Sequence, residues 1–295
     1  MSVRSTPAQT LPVPARRASS RLRGAFGGSG VAWLLAPPLV FLALVLLVPL
    51  GYLVYLAAQE SGFSRALDNS IFTDSIPRTF LLAAVVTAFA MVLGTIYALA
   101  LAVAPRWAAV LMLIALITLF WTSLLVRTYG WMILYFPRGP LYDALHAVGL
   151  RERPLDVYQT DLASYPAMVH VMLPFVVLPV YASLLQLDPL QVRAARVLGA
   201  KPLLILRSVV LPQLRAGMLA AGVLVFIMSL GFYITPEMLG DPNGAMVAGV
   251  IGGQFNLPGQ TSTAAAMSIL LVAVIVVVYA AADKLFGVSK HWGRS

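Results

Sequence analysis

Residues 79–105 read TFLLAAVVTAFAMVLGTIYALALAVAP, a stretch without Asp, Glu, Lys or Arg. A helix needs about 20 apolar residues to cross the hydrocarbon core of a bilayer, so this stretch is long enough to span a membrane. Further stretches without these four residue types are 24–59, 107–126, 162–187, 216–236 and 242–282. The repetition of such runs predicts a polytopic membrane protein built from helices.

The composition supports the same class. The chain has 295 residues, of which 60% are hydrophobic and 11% are charged, whereas soluble domains have about 25% charged residues. A soluble globule with this composition would leave most of its exterior apolar, which excludes a soluble enzyme, a nucleic-acid-binding module and a disordered chain. The absence of cysteine excludes disulfides, thiolate metal sites and Cys nucleophiles.

Six transmembrane helices are expected within these runs. Their predicted bounds are about 31–56, 79–103, 107–126, 164–187, 214–236 and 262–282. The first half of the run 242–282 is rich in Gly, Pro and amide residues, which favours a loop with a short interfacial or re-entrant helix. The apolar stretch Tyr129–Pro137 is too short to span and is expected at a membrane interface.

The distribution of charge predicts the orientation. With the N-terminus in the cytoplasm, the inner segments carry 14 cations and two acids, and the outer segments carry six cations and nine acids. Cytoplasmic loops are enriched in Lys and Arg, so the net charge of +9 reports topology rather than nucleic-acid binding. We expect an inner-membrane protein with both termini in the cytoplasm and with lipid around its spans.

The two ends of the chain are expected to be cytoplasmic tails. Residues 1–30 are rich in Pro, Ser and Arg and lack periodicity, which predicts disorder; residues 286–295 form the second tail. The apolar run after the first tail reaches about 26 residues, which exceeds a signal-peptide core of about 7–15. We therefore expect an uncleaved first span and a membrane domain over 31–285.

The segment 188–212 lies between the fourth and fifth spans and has its own helix signals. Asp188 is a good N-cap, Pro189 suits the first helical position, and Gln191 stands where a capping box needs it. Gly199 supplies a left-handed stop, so a short helix is predicted over 189–198. Lys201-Pro202 should begin a second short helix that Pro212 ends.

The first short helix is predicted to be amphipathic. Leu190, Ala194, Val197 and Leu198 share one face, and Arg193 and Arg196 lie together on another. Such a helix can insert into a groove of a partner protein. It can equally lie on anionic lipid as an interfacial helix. The residues alone leave both interpretations open.

This segment resembles the cytoplasmic EAA loop of permease subunits in binding-protein-dependent ABC importers. The resemblance rests on Ala194-Ala195, Gly199-Ala200, Leu211-Pro212 and Gly217. In that family the loop is a coupling helix that sits in a cleft of the ATPase subunit. The resemblance implies an ATPase-coupling role for the following residues: Leu190, Arg193, Ala194, Ala195, Val197, Gly199 and Ala200. Arg193 stands where the family has Glu, which implies a different contact on the ATPase or a non-standard pairing of subunits.

Two further stretches resemble the spermidine/putrescine branch of these permeases. They are FWTSLLVRTYGW at 120–131 and SLGFYITPEMLG at 229–240. The resemblance covers about 31–285 and implies the all-α, six-helix architecture of a type I ABC importer permease. It also implies three partners: an ATP-binding subunit, a second homologous permease and an extracytoplasmic solute-binding protein. The solute could instead be another small molecule handled by the same branch.

Aromatic and hydroxyl residues gather at the predicted outer ends of spans three and five. Together with one acidic residue, they are the candidates for lining a substrate path: Trp121, Thr122, Ser123, Tyr129, Trp131, Tyr233 and Glu237. Aromatic faces can hold amines, but an interfacial aromatic belt with a snorkelling Arg127 explains the first group equally well. Glu237 could add negative potential at the mouth, or it could belong to simple turn chemistry.

The sequence contains no motif for chemistry of its own. It has no G-x-x-x-x-G-K-[ST] phosphate loop, so ATP is expected to be used by a partner subunit, and neither a cofactor nor a catalytic residue is expected. A passive channel or a membrane-embedded enzyme is the alternative, although an enzyme would need ionisable groups in the membrane. His170 lies at span depth, as a hydrogen-bonded structural residue or as part of a path. The identity of the solute and of the second permease, a copy or a different chain, stays open.

Overall fold

The structure is a computed structural model that describes residues 28–150, 152–242 and 244–286. All regular elements in these ranges are helical. The helices are α1 Gly28–Ala58, α2 Gly62–Asp68, α3 Ser70–Val103, α4 Arg106–Trp121, α5 Leu124–Tyr135, α6 Pro140–Ala147, α7 Asp161–Leu185, α8 Pro189–Val197, α9 Pro202–Ile205, α10 Leu211–Leu230, α11 Ile234–Leu239, α12 Val247–Phe255 and α13 Thr261–Phe286. The predicted tail 1–30, except for its last three residues, lies outside the described residues, as do residues 287–295.

The described residues contain five helical stretches that are long and apolar enough to cross a membrane. These stretches are Leu35–Asp68, Ser70–Val103, Asp161–Leu185, Pro202–Leu230 and Thr261–Lys284. A sixth span arises if the bent pair Arg106–Trp121 and Leu124–Ala147 counts as one. The architecture is therefore the predicted all-helical, polytopic one.

The third span differs from its prediction. It was expected as one helix over 107–126, but α4 ends at Trp121 and the chain bends by 105° before the next helical stretch. Thr122 has extended backbone angles and Ser123 has non-helical ones, and the Thr122 hydroxyl donates to the Thr118 carbonyl oxygen at 2.8 Å. Because Ser and Thr hydroxyls compete with backbone groups for hydrogen bonds, this pair favours a helix end. The stretch Tyr129–Pro137 accordingly belongs largely to the separate helix α5.

The chain divides into two compact units, residues 1–52 and 53–295. The described part of the first unit is α1 up to Tyr52, and its side chains from Leu35 to Pro49 are exposed. A helix that is apolar on all sides matches a hydrocarbon environment. In the second unit, exposed apolar side chains likewise cover the outer faces of α3 and α13.

The main core of the second unit lies where α3, α7 and α10 pack together. Met168, Met172 and Val176 of α7 are fully buried between the other two helices. Gly94 of α3 allows close approach, because a Cβ atom at this position would lie 2.7 Å from Val176 Cβ. Small residues at such contacts let the backbones of membrane helices approach one another.

A second cluster joins the end of α1 to α2, α12 and α13. Gly62 is buried there, and a Cβ atom at this position would lie 2.6 Å from the carbonyl oxygen of Ser262. Arg65 donates to the Ser262 hydroxyl at 2.9 Å and forms an ion pair with Glu60 at 3.1 Å. These polar bonds hold the connection between the first two spans against the start of α13.

The fifth span ends earlier than predicted. It was expected to reach 236, but α10 ends at Leu230 and the short helix α11 follows. Thr235 and Pro236 of α11 are buried, so this segment packs as part of the protein rather than extending a span. The expected short helix in the following loop is present as α12, with Val247, Val250 and Ile251 buried.

The prediction for Pro212 was wrong. The second short helix was expected to end there, but the helix that begins at Pro202 continues into α10 through a π-helical stretch, Leu206–Val210. The Leu211 amide donates to the Leu206 carbonyl oxygen, five residues back. Proline removes one backbone donor from a helix, and the widened turn before Pro212 absorbs this loss without a break.

The contact between Gly94 and Val176 predicts the effect of one added methyl group. Gly94→Ala should lower the free energy of unfolding by about 1–3 kcal/mol, because overpacking a tight core forces the helices apart. Thermal unfolding of the detergent-solubilised protein measures this loss. Gly222→Ala is the matched control, since its Cβ would lie at an ordinary 3.7 Å from Met91 Sδ. Equal melting temperatures for the two variants would contradict the packing argument.

Candidate functional site

Helix α8 has the predicted cap and the predicted stop. The Asp188 carboxylate accepts a hydrogen bond from the Leu190 amide at 2.9 Å, which makes it the N-cap. Gly199 has φ +79°, in the left-handed region, and the Ala200 amide then donates back to the Ala195 carbonyl oxygen at 3.0 Å. Both ends of this nine-residue helix are therefore fixed by local chemistry.

The capping box expected at Gln191 is not formed. Its side-chain oxygen accepts a hydrogen bond from Gln213 Nε2 at 2.6 Å instead. Gln213 belongs to the first turn of α10, so the contact is tertiary rather than local. The sequence pattern identified Gln191 as a hydrogen-bonding residue but did not indicate that its partner is Gln213.

The apolar stripe of α8 is presented to the outside. Leu190 is 66% exposed, Val197 is 87% exposed, and the adjoining Leu198 is 85% exposed. Arg193 and Ala194 are exposed as well, while Ala195 and Ala200 are half-buried. The residues expected for coupling thus share one short segment, and three large apolar side chains in it are at least 66% exposed.

Two polar pairs connect α5 to its neighbours, one to α7 and one to α11. The Trp131 indole N–H donates to His170 Nδ1 at 3.3 Å, and the Thr128 and Thr235 hydroxyls lie 3.3 Å apart. Thr128 and Thr235 are buried. His170 thus connects α7 to α5 through a hydrogen bond to Trp131, which is itself one of the predicted path residues.

The predicted substrate-path residues divide into two groups. Trp131 is half-buried against His170, whereas Trp121 is 86% exposed at the end of α4. The Thr122 hydroxyl is used by its own helix. Ser123, Tyr129, Tyr233 and Glu237 are exposed. The bend after Trp121 places Trp121 on a different helix from Tyr129 and Trp131, and Glu237 lies on a third helix, α11.

The structure adds a neighbour to Glu237 that the sequence did not indicate. A Cβ atom at Gly249 would lie 2.9 Å from Glu237 Oε2, so the carboxylate rests against the bare backbone of α12. Its position therefore depends on the absence of a side chain at Gly249. In the described residues, no group of three or more His, Asp or Glu side chains could hold a metal ion.

Similarity to known proteins shows which family the chain belongs to. No family model matches the chain. The inner membrane ABC transporter permease protein YdcU of Escherichia coli (strain K12) is 30% identical over 239 residues, which are 76% of this chain and 74% of that protein. The chain belongs to the ABC transporter permeases. The spermidine/putrescine transport system permease protein PotB of the same strain is 29% identical over 265 residues, covering 86% of this permease and 95% of PotB.

Solved structures agree at the level of the fold. A subunit in the crystal structure of a bacterial ABC transporter involved in the import of the acidic polysaccharide alginate superimposes with a TM-score of 0.69 at 16% identity. The match covers 90% of this permease and 98% of that chain. The named relatives confirm the resemblance to ABC importer permeases, and the solved structure confirms the predicted architecture. The protein is a multi-pass inner-membrane permease subunit.

The cap of α8 predicts a local effect. Asp188→Ala should destabilise the helix by about 1 kcal/mol, because the Leu190 amide loses its acceptor. Hydrogen exchange followed by mass spectrometry should show faster exchange in the peptide covering 188–197. Asp188→Asn is the control, since Asn caps as well as Asp. Faster exchange of similar size in both variants would contradict the capping role.

Proposed function

We propose that the chain is the membrane permease of an ATP-driven importer for polyamines of the spermidine/putrescine class. The support is its membership of the ABC transporter permeases together with the 29% identity to PotB over most of both chains. The proposed partners are an ATP-binding subunit, a second homologous permease and an extracytoplasmic solute-binding protein. The proposed orientation has both termini in the cytoplasm, as the distribution of cations favours.

The exposed stripe of α8 is proposed to dock into a cleft of the ATPase. Large apolar side chains that protrude from a short, capped helix suit insertion into a groove. ATP-driven closure of the ATPase pair would displace α8 and tilt the spans, so that the path opens to alternate sides. In this mechanism the permease contributes binding and motion, and ATP hydrolysis takes place on the partner.

The solute path is proposed to begin near Tyr233 and Glu237. Both side chains are exposed, and α11 brings them close together in sequence and space. A carboxylate beside an aromatic ring offers charge pairing and a cation–π face to a protonated amine. Trp121, Thr122, Ser123, Tyr129 and Trp131 are proposed to line the same path from the bent third span.

A passive channel and a membrane-embedded enzyme are the competing functions. A channel would conduct solute without an ATPase, whereas the proposed importer moves solute only while ATP is hydrolysed. Purification of the complex in mild detergent, followed by uptake in proteoliposomes with and without internal ATP, separates these functions. Uptake of labelled putrescine without any ATPase subunit would refute the proposal, and transport of a different solute by an ATP-dependent complex would refute its polyamine part.

The docking role predicts the effect of a charge on the stripe. Val197→Asp should reduce capture of the ATPase subunit and ATP-dependent uptake by at least about tenfold, because an uncompensated charge would enter an apolar cleft. The side chain is 87% exposed, so the permease itself should fold and insert normally. Leu150→Asp is the control, because this leucine is 75% exposed and is separated from α8 by one span. Normal capture by the Val197 variant would contradict docking through α8.

The path role predicts an effect of the Glu237 charge. Glu237→Gln should raise the KM for putrescine about fivefold and leave maximal ATP hydrolysis unchanged, because a partly solvated ion pair has a modest binding energy. Gly249→Ala should act in the same direction, since its Cβ would displace the carboxylate. Glu152→Gln, at an exposed acid before α7, is the control. An unchanged KM in both test variants would remove Glu237 from the path.

A further inference from the structure

One side-chain hydrogen bond connects the short helix α8 to a membrane span. Gln213 Nε2 donates to Gln191 Oε1 at 2.6 Å and also to the Val209 carbonyl oxygen at 3.1 Å. Gln191 lies in the first turn of α8, and Gln213 lies in the first turn of α10. Within residues 28–150, 152–242 and 244–286, no other side chain of α8 forms a hydrogen bond to another helix.

The backbone route between these two helices is indirect. It leaves α8 through Gly199 in the left-handed conformation and passes through α9 and the π-helical stretch Leu206–Val210. One extra residue in a helical turn rotates everything after it by about 100°. Gln213 lies three residues after Val210, the last residue of this stretch, and in the resulting orientation its amide reaches Gln191.

Gln213 has an exposed side chain and lies one helical turn before the contact of α10 with α7. Gly217 is four residues later and hence on the same face. A Cβ atom at Gly217 would collide with the Ser183 hydroxyl of α7, so the two spans are in close contact there. The side-chain bond thus ties α8 to α10 about one helical turn before the point where α7 and α10 meet.

We infer that the Gln191–Gln213 bond is a positioning pair that transmits displacement of α8 to the fifth span. The inference rests on the proposed function, since the displacement originates at the ATPase. Without the bond, a push on the exposed stripe would turn α8 about Gly199 and leave α10 in place. With the bond, the first turn of α10 moves together with α8. Both side chains are exposed, so the pair contributes to linkage rather than to the core.

The test uses the complete complex in proteoliposomes and measures uptake of labelled putrescine per ATP hydrolysed. Gln191→Ala and Gln213→Ala should each lower this ratio about fivefold, while capture of the ATPase subunit stays normal because the stripe is intact. The double Ala variant should be no worse than either single variant, since all three remove the same bond. Gln186→Ala is the control, at an exposed glutamine next to the same segment.

Glutamate variants show whether coupling needs the hydrogen bond itself or only side chains of this size at the two positions. Gln191→Glu keeps an acceptor opposite the Gln213 amide, and Gln213→Glu gives an acceptor to a reoriented Gln191 amide, so each should retain the ratio. The double Glu variant has two acceptors and no donor, so its ratio should fall as in the Ala variants. An unchanged ratio in the Ala variants, or a normal ratio in the double Glu variant, would overturn the inference.

Failure of the proposed function and failure of this inference give different experimental results. A wild-type complex that contains no ATPase would refute the proposed function itself, whereas normal coupling in the Ala variants would refute only the bond. Spin labels at Arg193→Cys and Arg215→Cys give a direct measure of linkage, because the chain contains no other cysteine. The distance distribution between them should be narrow with both glutamines present and should broaden in Gln213→Ala. A distribution that stays narrow would overturn the inference.

Discussion

Internal satisfaction of backbone hydrogen bonds is the constraint on which this structure depends. Inside a bilayer no water is present to accept or donate them, so a chain that crosses it must pair its backbone groups internally, and the spans of this chain do so as helices. Because each span must be an apolar helix, the spans vary little in structure. The side chains that form specific polar contacts lie mainly at the ends of the spans. The capped helix α8, the hydroxyl pair Thr128 and Thr235, and the ion pair of Arg65 with Glu60 all lie where spans begin or end.

The approximate positions of most spans could be predicted because this constraint acts on composition alone. The run 79–105 needed only its length and its lack of charge to identify most of α3, although the helix begins earlier, at Ser70. That start is set by Asn69, whose side chain accepts from the Phe72 amide at 3.0 Å, a local signal of ordinary strength. The end of α8 could also be predicted from a local signal, because Gly199 ends the helix through its own left-handed conformation.

Features that depend on a distant partner could not be predicted. Gln191 was assigned to a capping box, but its acceptor group is used by Gln213, 22 residues away. Thr128 and Thr235 are 107 residues apart, and no periodicity links them. The bend at Thr122 has a local signal in its adjacent hydroxyl residues, yet an uninterrupted apolar run masked it. The prediction of the substrate path suffers most from this missed bend, because the bend decides which of the aromatic side chains can face the same direction.

Exposure of apolar side chains has two different physical meanings in this chain. On α3 and α13, exposed Leu and Val belong to helices long enough to cross a bilayer, so lipid accounts for them. Helix α8 has nine residues and cannot cross, yet Val197 and Leu198 are more exposed than most side chains of the spans. An interfacial helix would gain from lying freely along the lipid surface. Here Gln213 ties α8 to the fifth span, and a helix that is tied in this way holds its exposed stripe in one orientation, as the proposed docking to a protein partner requires.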